Sequence, residues 1–92
     1  MSPWRVELTP AAARRLRSVR PDALLALRGV ILGLGDDQHP PGAARLRGTD
    51  LWRVRVRIDG IPWRVVYQLR NGERLVVVTR IARRDEATYR RL

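Results

Sequence analysis

Residues 52–81 read WRVRVRIDGIPWRVVYQLRNGERLVVVTRI, three strand-like runs separated by two turn signals. The runs span residues 52–58, 63–69 and 74–81, and the first two alternate apolar and polar side chains with the period of a half-buried strand. Asp59-Gly60 and Asn71-Gly72 are dipeptides that favour tight hairpin turns. Pro62 stands at the start of its run, where a strand tolerates proline. The stretch therefore predicts a three-stranded antiparallel meander.

The segment before this meander predicts one more strand and two helices. Residues 3–8 alternate like a strand, and Thr9-Pro10 suits the cap and first position of a helix that runs to about residue 19. Pro21 marks a second helix start, and spacings of three and four residues place a set of apolar side chains on one stripe. That stripe contains Leu24, Leu27, Ile31 and Leu34.

Residues 36–50 are rich in turn-forming residues and predict a loop, while the tail from Asp85 predicts a short helix with acids first and arginines last. The predicted order is β-α-α-β-β-β-α. We therefore expect one domain, residues 1–92, of the α+β class. It would have a small, mostly antiparallel four-stranded sheet, an N-terminal helical hairpin packed on one face and a short C-terminal helix.

The charge of the chain is its most unusual property. The net charge is +10, and all nineteen basic residues are arginine. This excess favours a polyanionic partner, which could be nucleic acid, an acidic protein or an anionic membrane surface. No cysteine is present, and no apolar run approaches the ~18 residues of a membrane span. We expect a cytoplasmic protein without a membrane segment, a metal or a cofactor.

Arginines occupy every second position of the first run of the meander. Arg53, Arg55 and Arg57 should lie on the face opposite Trp52, Val54, Val56 and Ile58, because strand side chains alternate between faces. Arg64 has the matching parity in the next run. A face of guanidinium groups with no acid among them predicts phosphate binding. The alternative is a plain solvated basic face.

Other conspicuous residues are better explained by packing. Tyr67 and the three tryptophans have core parity or flank apolar runs, and His39 lies in a proline-rich loop, where a solvated residue is the simpler interpretation. In the last run, Leu75, Val77, Thr79 and Ile81 share one parity and Val76, Val78 and Arg80 share the other. Both faces are apolar, which predicts a strand that is central or covered on both sides.

The chain resembles the RelE/ParE superfamily of bacterial toxins over nearly its whole length. The resemblance lies in the element order, in LRGTDLWRVRVRIDGIPWRVVYQL, in VVVTRIARRDEATYRRL, and in an arginine followed six residues later by a tyrosine. It implies the toxin of a type II toxin–antitoxin module. The RelE branch cuts mRNA in the ribosomal A site, whereas the ParE branch poisons DNA gyrase.

The resemblance to the RelE branch also implies site residues. Matched by motif, the catalytic residues would be Arg55, Arg64, Arg83 and Tyr89, and further RNA contacts would come from Arg53, Arg57, Arg80 and Arg84. Arginines stand where the best-known members have lysines, and arginine does not give up its proton at neutral pH. The general base therefore stays open, with Tyr89 as the candidate for proton transfer.

The resemblance implies three partners: a cognate antitoxin, the 70S ribosome and mRNA. The expected activity is that of a ribosome-dependent mRNA endonuclease, which would leave a 2′,3′-cyclic phosphate and a 5′-hydroxyl. The alternatives are a ParE-like gyrase inhibitor, a non-catalytic RNA-binding toxin, and a structural subunit with a solvated basic face.

Overall fold

The computed structural model describes residues 3–84, which form two helices and five strands. The sheet order is β1-β5-β4-β3-β2, in which β1 and β5 are parallel and all other neighbours are antiparallel. The elements are β1 (Arg5–Leu8), α1 (Pro10–Arg17), α2 (Pro21–Gly33), β2 (Ala44–Arg45), β3 (Leu51–Ile58), β4 (Ile61–Arg70) and β5 (Leu75–Arg83).

The predicted α+β class and the three-stranded meander are confirmed, with one added strand. β2 lies inside the predicted loop 36–50 and pairs with β3 over two positions only, Ala44 with Arg53 and Arg45 with Trp52. Two residues are too few to show an alternating pattern, so this strand has no sequence signal. The helix expected from residue 85 lies outside the described residues.

The two hairpins of the meander close in different ways. Asp59 and Gly60 both have positive φ, 51° and 79°, and Ile58 pairs with Ile61 around them. This is the two-residue turn whose twist matches that of the flanking strands. The β4–β5 connection instead contains a short 3₁₀ turn, and its left-handed residue is Arg74 with φ of 49°, not Gly72.

The helical hairpin packs on one face of the sheet. Thr9 caps α1 as predicted, because its Oγ1 accepts a hydrogen bond from the Ala12 backbone N–H at 3.2 Å. In the predicted stripe of α2, Leu27, Ile31 and Leu34 are buried and Leu24 is half-buried. The core also takes Val54 and Ile58 from β3, Trp63, Val65 and Tyr67 from β4, and Val76, Val78 and Ile81 from β5.

A β-bulge in β5 changes which side chains face the helices. Val66 pairs with Arg80 and Tyr67 pairs with Val78, so Thr79 has no place in the β4 register. The extra residue reverses the alternation beyond it. The predicted grouping of Ile81 with Leu75 and Val77 is therefore wrong, since Ile81 joins Val76 and Val78 in the core.

β5 is central, as predicted, because it pairs with both β1 and β4. Its side chains are buried on both faces of the sheet: Val76, Val78 and Ile81 on the helix side, and Leu75 and Ala82 on the other side.

Candidate nucleic-acid interface

The sheet surface opposite the helices carries four arginines from three adjacent strands. Arg55 on β3 is the direct partner of Arg64 on β4, and Arg53 on β3, Val66 on β4 and Arg80 on β5 form the next row. Directly paired residues have Cβ atoms about 4.5–5.5 Å apart. We call this surface the arginine face; it comprises Arg53, Arg55, Arg64 and Arg80.

The charges of the arginine face influence one another. Partial burial, together with the positive charges of Arg55 and Arg64, lowers the pKa of Arg53 below that of an ordinary arginine. Nη1 of Arg53 donates a hydrogen bond to the Gly42 carbonyl oxygen at 3.0 Å. This bond holds one guanidinium in place beside the other two. An anion bound here would relieve the mutual repulsion.

Apolar side chains lie between these arginines. Val66 is 6% exposed and Ala82 is 4% exposed, although neither belongs to the cluster of the main core. Register places Val66 between Arg53 and Arg80, and it places Ala82 beside Arg64. Arginine stems readily cover apolar atoms while their charged ends stay at the surface. The arginine face thus combines charged groups with the buried apolar side chains of Val66 and Ala82 between them.

The ends of the arginine face differ in character. Arg57 pairs with Pro62, and its Nη1 lies 3.5 Å from the Gly60 carbonyl oxygen, so the side chain turns toward the β3–β4 hairpin. At the other end, the Gln68 side-chain amide donates to Oδ2 of Asp50 at 2.7 Å. Asp50 therefore lies at the margin of this sheet surface, and the four arginines of the arginine face occupy its middle.

Arg83, which the resemblance implies as a catalytic residue, does not lie on the arginine face. It pairs with Trp63, whose side chain packs in the core, and its Nε is buried. It lines a cavity of about 400 Å³ between the helices and the β3–β4 hairpin, together with Arg15. The Arg15 guanidinium lies 5.3 Å from the centre of the Trp63 ring. The bulge at Thr79 causes this reversal.

Arg84, the next residue, continues the ladder on the other side. Its backbone N–H donates to the Pro62 carbonyl oxygen at 3.0 Å, which extends the β4–β5 pairing by one position. Because Pro62 is the partner of Arg57, this position belongs to the same side of the sheet as the arginine face. Arg84 is exposed.

The remaining candidates lie elsewhere. Tyr89 is outside the described residues. His39 is an exposed loop residue, as expected. Its ring meets the Trp52 ring edge-on, with the two ring centres 4.5 Å apart, on the helix side of the sheet. Tyr67 is a core residue, as expected: its hydroxyl donates to the Gln38 carbonyl oxygen at 2.8 Å, and burial, with the negative charge of Asp37, raises its pKa.

Residues 3–84 contain no group of three or more His, Asp or Glu side chains that could hold a metal ion. In the same range, no helix combines the length and the apolar character that crossing a bilayer requires. The guanidinium groups of the arginine face can neutralise charge and make paired hydrogen bonds to phosphate oxygens.

A family comparison identifies the chain. Residues 6–88 match the family described as the ParE toxin of type II toxin–antitoxin systems. The chain belongs to this toxin family. It is therefore a toxin of a type II toxin–antitoxin system, within the RelE/ParE superfamily. No curated protein matches the toxin at a significant level.

Solved structures of RelE toxins have the same fold. The RelBE2 toxin–antitoxin complex of Mycobacterium tuberculosis matches with a TM-score of 0.76 and 25% identity, over 89% of this chain and 99% of that chain. The E. coli RelBE complex matches with a TM-score of 0.75 and 18% identity, over 90% and 99%. The RelE–RelB complex of Pyrococcus horikoshii matches with a TM-score of 0.71 and 21% identity, over 95% and 100%.

Proposed function

We propose that this toxin is a ribosome-dependent endoribonuclease that cuts mRNA in the A site and so inhibits translation in the cytoplasm. The observation that carries the proposal is the arginine face, where Arg53, Arg55, Arg64 and Arg80 meet on adjacent strands. A single RNA strand offers phosphates at a spacing that such a surface can follow.

The reaction would be an RNA transesterification. The 2′-hydroxyl attacks the adjacent phosphorus, the bond to the 5′-oxygen of the next nucleotide breaks, and a 2′,3′-cyclic phosphate and a 5′-hydroxyl result. Negative charge grows on the phosphorane oxygens, and preorganised cations stabilise it. Arg55 and Arg64 are direct partners at the centre of the face, so they are placed to contact two oxygens of one phosphate.

Proton transfer needs a different group. Arginine keeps its proton at neutral pH, so the arginine face supplies charge and orientation rather than a base. We propose Tyr89 for proton transfer, since it stands at the position that RelE-type toxins fill with tyrosine. A guanidinium group close to a tyrosine hydroxyl lowers the pKa of that hydroxyl.

The test is primer extension on an mRNA held in purified ribosomes. Wild-type toxin should produce breaks at A-site codons, and ribosome-free mRNA should stay intact. Arg64→Ala should lose cleavage, whereas Arg28→Ala, which removes an exposed charge from α2 on the helix side, should keep it. Folded, growth-inhibiting toxin that leaves ribosome-bound mRNA uncut would refute the proposal.

A second candidate function is inhibition of DNA gyrase, because the matching family is the one described by ParE. The arginine face would then contact an acidic surface or DNA. Supercoiling by purified gyrase separates the two functions. Inhibition that persists in Arg64→Ala, together with intact ribosomal mRNA, would favour the gyrase target.

Besides the ribosome and mRNA, we propose a cognate antitoxin as a partner, since the matched structures include RelE–RelB and RelBE complexes. An apolar groove lies between α2 and β3. Its lining comprises Gly29, Val30, Gly33, Pro40, Pro41, Val54, Arg55 and Val56. An acidic, amphipathic antitoxin segment fits this groove, because its apolar side would meet Val30 and Val56 and its acids would be attracted by the net charge of +10.

A further inference from the structure

We infer that Arg84, and not Arg83, is the C-terminal arginine that contacts RNA, and that Arg83 supports the fold instead. The inference rests on the proposed function, and it decides between two residues that the resemblance implied together for the same site, Arg83 as a catalytic residue and Arg84 as an RNA contact. It reverses the assignment that motif spacing gives, because the six-residue interval to Tyr89 selects Arg83.

The side chains of Arg83 and Arg84 project to different sides of the sheet. Arg83 pairs with Trp63, which faces the helices, whereas Arg84 is bonded to Pro62, the partner of Arg57. Adjacent residues of an extended chain project to opposite sides of a sheet. Only the Arg84 side chain therefore starts on the side that carries Arg55 and Arg64.

The surroundings of the two guanidinium groups also differ. Arg83 lines the cavity below the helical hairpin, where Val19, Ala23 and Ile58 form apolar walls and Arg15 covers the Trp63 ring. Its Nε is buried, so its position is set by packing against the protein. Arg84 is exposed in the turn that directly follows β5, where it can reach a strand of RNA that passes over the arginine face.

Hydrogen bonds from two threonines stabilise the bulge that sets these directions. Thr79 Oγ1 lies 3.3 Å from the Val66 carbonyl oxygen to which it donates, and Thr9 Oγ1 donates to the Thr79 carbonyl oxygen at 3.4 Å. The Thr9 backbone N–H also donates to the Val78 carbonyl oxygen at 3.0 Å. Bulges often re-aim side chains near functional sites. Here the bulge moves Arg80 and Arg84 to the arginine face and turns Arg83 away.

The test compares Arg84→Gln with Arg83→Gln, each of which removes one charge, and uses Arg28→Gln as the matched control. Binding of a single-stranded RNA oligonucleotide is followed by fluorescence anisotropy across a salt series, and stability is followed by urea unfolding. Each phosphate contact contributes about 0.7 to the slope of log affinity against log salt. Cleavage on ribosomes is the third measurement.

Arg84→Gln should reduce the salt slope by about 0.7 and cleavage by about 10²–10³-fold, with an unchanged unfolding midpoint. Arg83→Gln should lower the unfolding midpoint, while its slope and its cleavage per folded molecule match those of Arg28→Gln. If Arg83→Gln does not fold, Arg83→Met keeps the packing stem over Trp63 and replaces it.

The opposite pattern, loss of slope and cleavage in Arg83→Gln with Arg84→Gln unaffected, overturns the inference. So does equal loss in both variants, or loss in neither. RNA binding without any cleavage by wild-type toxin refutes the proposed nuclease function alone, because the salt slopes still distinguish Arg84 from Arg83. Absence of RNA binding by wild-type toxin refutes the inference itself.

Discussion

Arg55 and Arg64 are direct cross-strand partners on β3 and β4, although both carry a positive charge. Like charges placed opposite each other destabilise a sheet, by up to about 1 kcal/mol relative to a neutral pair. Partial burial, together with the positive charges of these two groups, lowers the pKa of the neighbouring Arg53. An anion bound between the two guanidinium groups would reduce this repulsion.

Arg64→Gln should therefore make the free protein more stable and the RNA complex weaker. We expect the free energy of unfolding to rise by about 0.3–1 kcal/mol, since one member of the like-charged pair is gone. The salt slope for RNA binding should fall by about 0.7. Urea unfolding and anisotropy measure the two effects. A less stable Arg64→Gln protein would show that the pair is already neutralised within the fold.

Val54 and Arg55 are neighbours on opposite faces of β3, so they test the assignment of faces. Val54 is 4% exposed in the core, whereas Arg55 is exposed. Val54→Asp should cost about 3–5 kcal/mol, because it buries a charge that nothing compensates. Arg55→Asp should fold and be at least as stable as the wild type, because it places an opposite charge across from Arg64. Circular dichroism during urea unfolding compares the two, and a stable Val54→Asp protein would mean that the faces are reversed.

Two glycines should respond oppositely to alanine. A Cβ on Gly29 meets no described atom within 4 Å, so Gly29→Ala should stabilise α2 by about 0.5–1 kcal/mol through helix propensity. A Cβ on Gly35 would lie 2.7 Å from the Trp4 carbonyl oxygen. Gly35→Ala should therefore displace the start of β1 and lower the unfolding midpoint. Equal effects of the two substitutions would contradict this contact.

Tyr67 gives the protein a component of stability that depends on alkaline pH. Burial and the charge of Asp37 raise its pKa above the tyrosine value of 10.0 expected in the unfolded chain. The stabilisation from the neutral hydroxyl is therefore fully present below pH 10 and is lost as the pH rises through the higher folded-state pKa. Its hydrogen bond to the Gln38 carbonyl oxygen exists only while the hydroxyl keeps its proton.

Tyr67→Phe should lower stability by about 1–2 kcal/mol near neutral pH, because the Gln38 carbonyl loses its buried donor. It should also remove part of the stability loss above pH 10. Unfolding free energies at pH 7, 9 and 10.5 compare the variant with the wild type. An identical alkaline decline in both proteins would indicate that other groups cause it.

Most of the fold could be predicted from local patterns. The alternation of Arg53, Arg55 and Arg57 with apolar residues is a property of a few adjacent positions, and so is the Asp59-Gly60 turn. The capping of α1 by Thr9 is equally local. Such signals depend on backbone geometry within a few residues, so they are present in the sequence itself. β2 was missed because two residues cannot show a period.

The sequence by itself determined the order of the strands other than β2 along the chain, the faces of β3 and β4 and the excess of arginine. The tertiary structure decided which arginines of β5 join them. Nothing in VVVTRIARR shows where an extra residue enters the ladder, because a bulge is a relation between two strands. The hydrogen bonds of Thr79 with Val66 and Thr9 join segments distant in sequence and fix it. One unpaired residue thereby places Arg80 and Arg84 on the side of the arginine face and Arg83 on the helix side.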